Sequence, residues 1–189
     1  MANISRFPIP DLDSLPRDIK ERIQEVQEKS GFVPNVFLVL SHRPDEFRAF
    51  FDYHDAIMRR EGNLSRAEKE MIVVATSAAN DCSYCVVAHG AILRVVSGDT
   101  NLSEQLLANY RTAPLEPRQR TMLAFAVKLA RTPEEVEETD LRQLAELGYT
   151  QEDIWDIGAI TAFFACSNRM AHLTAMQPNE EFYSLGRRG

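Results

Sequence analysis

Glycine and cysteine are scarce in this chain of 189 residues, with 8 and 3 copies respectively. Few glycines disfavour a turn-rich β-sandwich, and 20 alanines with 17 leucines favour helices instead. Three cysteines cannot build the disulfide framework of a small secreted scaffold, and a chain of this length forms its core without one. The composition therefore predicts an all-α protein of a reducing compartment.

Basic residues are also too few to give the protein a positive surface. There are 21 Lys and Arg against 28 Asp and Glu, so the formal net charge is −7. Such a surface repels phosphate backbones and anionic lipid, which makes nucleic acid and membranes improbable partners. Residues 1–20 contain no apolar run of signal-peptide length, and no stretch of the chain approaches the ~18 uninterrupted apolar residues that a membrane span needs. We therefore expect a cytoplasmic protein.

The helix signals are distributed over the whole chain and predict one domain, residues 1–189. It divides into an N-terminal arm and helix (1–43), a core (44–176) and a C-terminal tail (177–189). Two capping boxes, Ser65 to Glu68 and Thr150 to Asp153, each predict the start of a helix. Ser14 is the predicted N-cap of an earlier helix that ends at Gly31.

A weak internal echo predicts that the helices form a repeat. Similar residues recur with a spacing of 51 positions, which suggests two related helical hairpins. The first set is Leu64, Met71, Ile72 and Ala75, and the second is Leu115, Met122, Leu123 and Ala126.

A C-x-x-C pair followed by a histidine is the most informative motif. On a helix, Cys82, Cys85 and His89 occupy positions i, i+3 and i+7 and therefore share one face. The N-terminus of a helix stabilises a thiolate, so the pKa of Cys82 is expected to be depressed there. His89 lies one turn beyond Cys85 and is placed to accept its proton.

A carboxylate joins this group if the chain reverses at Asn80-Asp81. In an antiparallel helical hairpin, a residue ten positions before the turn lies level with one nine or ten after it. This places Glu70 beside His89, where the carboxylate would orient the imidazole in its role as a base.

The spacing E-x11-C-x2-C-x3-H resembles the alkylhydroperoxidase D-like family of the carboxymuconolactone decarboxylase superfamily, and within it the uncharacterised peroxidase-related branch. The resemblance extends over nearly the whole chain. It includes Ser30-Gly-Phe-Val-Pro-Asn-Val-Phe, His42-Arg-Pro-Asp-Glu-Phe-Arg-Ala-Phe, Asn168-Arg-Met-Ala and Pro178-Asn-Glu-Glu-Phe-Tyr-Ser-Leu-Gly-Arg.

This resemblance implies an all-α fold with an internal helical repeat, a homo-oligomer (trimer or hexamer) and a thiol-dependent peroxidase. Cys85 would attack the hydroperoxide and become a sulfenic acid, and Cys82 would resolve it to a disulfide. His89 and Glu70 match the family's proton relay. An external dithiol or disulfide-reducing protein would restore the thiols, without flavin, haem or metal. One departure is Tyr84, where well-studied members have histidine.

Other functions remain open from the sequence. The same dithiol would serve a disulfide reductase that regenerates another peroxidase, or a redox-regulated binding protein whose assembly the thiols switch. A decarboxylase-like activity of the wider superfamily would not need the cysteines. Half of a zinc site is a further reading of the cysteine pair, although no second ligand cluster accompanies it.

Two residues outside the motif have ordinary structural interpretations. His54 lies on the apolar stripe of its helix, where a hydrogen-bonded core histidine is more common than a catalytic one. It is nevertheless a candidate for the proton relay. Tyr84 stands where well-studied members have a histidine, and a phenol is a poor base near neutral pH. Cys166 is expected to be buried in the core or in an interface.

Overall fold

Ten α-helices build the part of the chain that the computed structural model describes, residues 4–187, and no strand is present in that range. Single 3-10 turns lie at Leu12–Ser14 and Pro133–Glu135. The helices are α1 (Arg17–Ser30), α2 (Asn35–Leu40), α3 (Pro44–Met58), α4 (Arg66–Ala79), α5 (Ser83–Ser97), α6 (Leu102–Asn109), α7 (Pro117–Arg131), α8 (Glu138–Glu146), α9 (Gln151–Thr174) and α10 (Glu181–Ser184).

Helix α4 is the centre of the fold. Ten consecutive residues, from Glu68 to Ser77, are buried, because α5, α6, α7 and α9 pack around this helix. Its start is the predicted capping box: the Glu68 backbone N–H donates to Ser65 Oγ, and the Ser65 N–H donates to Glu68 Oε2. A helix apolar around most of its circumference belongs inside a bundle, so its position follows from its sequence.

The second predicted capping box also begins a helix. The Asp153 N–H donates to Thr150 Oγ1, and Asp153 Oδ2 accepts from the Thr150 N–H. The helix that follows, α9, extends over 24 residues and packs against α3, α4, α5, α7 and α8. Because α9 is long, it contacts both the core and the helix that carries the cysteine motif.

Lys69 is a buried cation that ties α4 to the end of α3. Its ammonium donates to the carbonyls of Ile57, Met58 and Arg60, at 3.0, 3.4 and 2.6 Å. These carbonyls lie at or just beyond the C-terminus of α3, where the helix leaves acceptors unpaired and its dipole favours a cation. Burial lowers the pKa of Lys69. This contact anchors the end of α3, which stops at Met58.

The reversal predicted at Asn80-Asp81 is present. Asp81 has a φ of +55°, a left-handed conformation that Asp tolerates better than most residues, and it turns α4 into the antiparallel α5. Cys82 is the N-cap residue of α5, and the helix begins at Ser83. The first cysteine therefore lies at the helix N-terminus, as predicted.

The start of α1 also differs from the prediction. Ser14 closes the 3-10 turn that Asp11 caps, and the N-cap of α1 is Pro16. Gly31, with a φ of +83°, ends this helix as predicted. The Ser14 hydroxyl therefore hydrogen-bonds within the preceding turn, to the Asp11 carbonyl, and does not cap α1.

Both chain ends dock on the helices. The Arg6 N–H donates to the Thr174 carbonyl at 2.8 Å, and the buried Arg94 donates to the carbonyls of Phe182 and Leu185. The tail is therefore held along α5 by a buried guanidinium, as expected for a segment without a core of its own. No helix among the described residues has the length and apolar character that a membrane span requires.

Candidate active site

The two cysteines of the motif lie at the N-terminus of α5, and both are free thiols. Cys82 is 2% exposed and Cys85 is 1% exposed. As the N-cap residue, Cys82 accepts a hydrogen bond from the backbone N–H of Cys85, with a distance of 3.4 Å from nitrogen to sulfur. The two thiols are also close enough for each to shift the pKa of the other. Helix geometry thus brings the sulfurs together at a site that favours negative charge.

The two thiols have opposite tendencies to ionise. The hydrogen bond from the Cys85 thiol, with the Cys85 backbone N–H and the nearby His172, lowers the pKa of Cys82 to about 7. The same thiol hydrogen bond and burial raise the pKa of Cys85. When the pair loses one proton, the remaining proton is shared between the sulfurs, so the pKa values belong to the pair as a unit.

The pair should therefore show a thiolate near neutral pH. In a Cys166→Ala background, we expect ultraviolet thiolate absorbance to appear with a midpoint near pH 7. Cys85→Ala removes the thiol that donates to Cys82 and should move this midpoint upward, toward the value of about 8.5 for a free thiol. An unchanged midpoint in Cys85→Ala would show that the neighbouring thiol does not stabilise the thiolate.

Asn168 is a site residue that the sequence analysis did not identify. Its side chain lies close to both cysteines and lowers the pKa of each thiol. It is 1% exposed and held in place by Ser77, whose Oγ accepts from Asn168 Nδ2, and by Asn80, whose Nδ2 donates to Asn168 Oδ1. Its one signal in the sequence is its place in the Asn168-Arg-Met-Ala segment of the family resemblance.

Glu70 and His89 are in direct contact across the α4–α5 hairpin. The distance between Glu70 Oε2 and His89 Nδ1 is 2.8 Å, and both side chains are largely buried. A carboxylate only accepts, so Nδ1 carries the proton and Nε2 is the basic nitrogen. The His89 ring also packs edge-to-face on Phe164 of α9, with centroids 4.7 Å apart. Two elements therefore fix the ring.

His89 and Cys85 are not hydrogen-bonded to each other. The Cys85 sulfur contacts Ser167 Oγ at 4.0 Å, and no other hydrogen bond to the His89 ring is present among residues 4–187. The expected direct transfer of a proton from Cys85 to His89 thus needs a substrate atom or a water between them, or a small movement of the thiol.

Tyr84 is buried, and its hydroxyl is hydrogen-bonded to the backbone of α2. Its hydroxyl accepts a hydrogen bond from the Val36 backbone N–H at 3.1 Å, and burial raises its pKa further above the ordinary value. A phenol with this environment does not transfer protons near neutral pH. It anchors the start of α2 on the cysteine helix and so helps to shape the site.

A cavity of about 750 Å³ opens next to the motif. Cys85 and His89 line it, together with His54 and Ser167, whereas neither Cys82 nor Glu70 does. Its inner wall is aromatic, from α2, α3 and α9, and its rim carries charged side chains of α1 and α3. The aromatic wall comprises Phe37, Phe47, Phe50, Phe51, Phe163 and Phe164.

Cys166 is exposed on this chain, so the prediction of a core position is wrong. It lies on the outer side of α9, because the helix turns Phe164 and Asn168 inward and this position away from them. Within residues 4–187, no three His, Cys, Asp or Glu side chains converge closely enough to hold a metal ion.

The comparisons with known proteins identify the family to which this fold belongs. A model of the carboxymuconolactone decarboxylase family matches residues 44–102, which include Glu70 and the cysteine motif. A crystal structure described as an alkylhydroperoxidase AhpD core, an uncharacterised peroxidase-related protein from Ralstonia eutropha JMP134, is 58% identical. It covers 100% of this chain and 99% of its own, with a TM-score of 0.98. The chain belongs to the AhpD-like, peroxidase-related branch of the carboxymuconolactone decarboxylase family.

A second member of this branch, from Silicibacter sp. TM1040, is 43% identical, with a TM-score of 0.93 over 97% of this chain and 96% of its own. Among curated proteins, Sestrin-2 from Homo sapiens is 27% identical over 136 residues. These are 72% of this chain, and the match spans about a quarter (26%) of that relative.

Proposed function

We propose that the protein is a thiol-dependent peroxidase that reduces hydroperoxides through Cys85 and Cys82. The observation that carries the proposal is that Cys85 lines the cavity with His89, while Cys82 touches Cys85 from behind. One sulfur thus meets the substrate, and the other is ready to receive its oxidised form. The peroxidase-related name of the family supports the same reaction class.

In the first step, the Cys85 thiolate attacks the terminal oxygen of the hydroperoxide. A sulfur–oxygen bond forms, the oxygen–oxygen bond breaks, and the alcohol leaves with a proton. The charge reaches Cys85 when its thiol proton moves away, either to the Cys82 sulfur or to His89 Nε2. Glu70 stabilises the imidazolium that the second route creates. Cys85 is oxidised to a sulfenic acid, and the peroxide is reduced.

In the second step, the Cys82 thiolate attacks the Cys85 sulfur. The disulfide forms, and the hydroxyl of the sulfenic acid leaves as water after it accepts a proton. The pKa of about 7 suits Cys82 to this role, because much of it is ionised near neutral pH. An external dithiol then reduces the disulfide and becomes oxidised itself.

The test is peroxide consumption with dithiothreitol or dihydrolipoamide as reductant. Wild type should turn over continuously, Cys85→Ser should be inactive, and Cys166→Ser should equal wild type because the exposed thiol lies outside the cavity. Turnover that survives Cys85→Ser would remove the proposed mechanism and leave the cysteine-independent, decarboxylase-like chemistry to be examined.

The second candidate is a disulfide reductase of another peroxidase, which the two free, adjacent thiols support equally. It predicts no cysteine-dependent peroxide consumption by the isolated protein and fast reduction of a disulfide substrate. A redox-regulated binding protein would show neither activity, and its mass in solution would change between oxidised and reduced samples.

We further propose that the protein is a cytoplasmic homo-oligomer, a trimer or a hexamer, with an internal helical repeat. The outer face of α9 supports assembly, since Trp155 is 73% exposed and Leu173 is 52% exposed. Met71 and Met122, which the echo relates, are buried on the adjacent helices α4 and α7. Light scattering should give three or six times the 21.4 kDa of one chain, and a monomer would contradict the assembly.

A further inference from the structure

The active-site cavity contains a second histidine–carboxylate pair that the proposed mechanism does not use. His54 Nδ1 lies 3.1 Å from Asp55 Oδ1, on α3. The ring lines the same cavity as Cys85 and His89, and its side chain is 29% exposed. It packs on Phe163 and Phe164, with ring centroids 5.8 and 6.4 Å apart.

Asp55 is fixed by cations so that one of its oxygens faces the imidazole. Its Oδ2 accepts from Arg22 of α1 at 2.8 Å and lies 3.3 Å from Arg59, which leaves Oδ1 for His54. Arg22 is itself held, since it also donates to the Phe51 carbonyl. Because a carboxylate only accepts, Nδ1 of His54 carries the proton, and Nε2 has no other hydrogen bond among residues 4–187.

His54 and His89 therefore have the same arrangement on two different helices. Each ring has Nδ1 tied to a carboxylate, and each lines the cavity beside Phe164. A buried core histidine with a purely structural role would have no reason to face the substrate cavity. Burial also lowers the pKa of His54, so its imidazolium is a stronger acid than an exposed one.

Displacement at a peroxide oxygen needs the attacking and leaving atoms roughly in line. The attacking sulfur comes from α5, so the leaving alkoxide oxygen points away from α5 and toward another wall. His54 reaches the cavity from α3 and is the second imidazole that lines it. We propose that His54 is the general acid that protonates the leaving alkoxide, an inference that rests on the proposed peroxidase function.

With both histidines taking part, every proton that the thiols lose is accounted for in the products. His54 acts as the imidazolium, with a proton on each ring nitrogen. It gives its Nε2 proton to the alkoxide, which leaves as the alcohol, and Nε2 then regains a proton from solvent at the cavity mouth. Solvent has received the proton of Cys82. The proton that Cys85 loses to His89 goes to the hydroxyl that leaves as water when the disulfide forms. Two thiol protons thus end on the alcohol and the water.

The test compares two aromatic peroxides of similar size that differ in their leaving groups. Cumene hydroperoxide releases an alkoxide that needs a proton, whereas perbenzoic acid releases benzoate, which does not. In His54→Gln, the second-order rate constant for cumene hydroperoxide should fall by about 100-fold or more, and that for perbenzoic acid by less than about threefold. His42→Gln, a histidine outside this cavity, should leave both unchanged.

This experiment distinguishes a purely structural effect of His54→Gln from a failure of the proposed peroxidase function. Equal losses for both peroxides in His54→Gln, or no loss for either, would overturn the role of His54 while leaving the peroxidase intact. If wild type and Cys85→Ser do not differ with either peroxide, the peroxidase itself is wrong, and the role of His54 falls with it.

Discussion

Replacing Cys82 by serine is expected to limit the protein to one peroxide per chain. Cys85 still lines the cavity and can be oxidised, but no sulfur remains to form the disulfide. The first step should not be slower near neutral pH, because the Cys82 thiolate, which raises the pKa of Cys85, is gone. Rapid mixing without reductant should show a single stoichiometric burst and a sulfenic acid that a dimedone adduct reports by mass spectrometry.

Two variants show whether the burst belongs to this pair. Cys85→Ser should show no burst and no adduct, although Cys82 is still present. Cys166→Ser should behave as wild type and form the disulfide. A burst in Cys85→Ser with none in Cys82→Ser would reverse the roles, so that the more acidic sulfur, which does not line the cavity, would be the one that meets peroxide.

Much of the site could be derived from local sequence because one hairpin builds it. Capping boxes at Ser65 and Thr150 mark where α4 and α9 begin, and both are present. Since α4 and α5 are joined by a tight turn at Asp81, counting residues on either side of it correctly brought Glu70 to His89. Local rules suffice where the contact is between consecutive helices.

Contacts between distant elements were not predictable in this way. Asn168 reaches the cysteines from α9, and the cavity next to Cys85 is completed by α1, α3 and the tail. No periodicity or cap indicates which of several amphipathic helices packs on which, so His54 could be assigned only to an apolar stripe. The exposure of Cys166 was unpredictable for the same reason. A helix with apolar residues on several sides does not reveal from its sequence which side faces inward.

Three consecutive charged residues at the start of α4 illustrate both cases. Glu68 caps its own helix and pairs with Arg118, Lys69 holds the end of α3, and Glu70 orients His89. The sequence identifies the cap from its four-residue pattern and Glu70 from its distance to the turn. Lys69 has no such pattern, since its acceptors are backbone carbonyls of another helix. All three are buried, and each has a different partner.

Glu70→Gln should lower peroxidase turnover by about 100- to 1,000-fold without unfolding the protein. The amide has nearly the same shape, but it is neutral and can donate as well as accept. It neither holds the proton on His89 Nδ1 nor stabilises the imidazolium, so the basic nitrogen facing the cavity is no longer specified. Stopped-flow peroxide reduction measures the loss, and thermal unfolding reports on the fold.

Glu68→Gln is the matched control, because it makes the same change two residues away on the same buried helix. Glu68 touches Ser65 and Arg118 but not His89, so its loss should cost about 1 kcal/mol of stability and leave the turnover of the folded protein unchanged. The two variants should thus have opposite effects. Glu70→Gln loses turnover and keeps its stability, whereas Glu68→Gln loses stability and keeps its turnover. Equal effects on turnover would mean that the hairpin needs buried charge for its structure and that the Glu70–His89 contact has no role in moving protons.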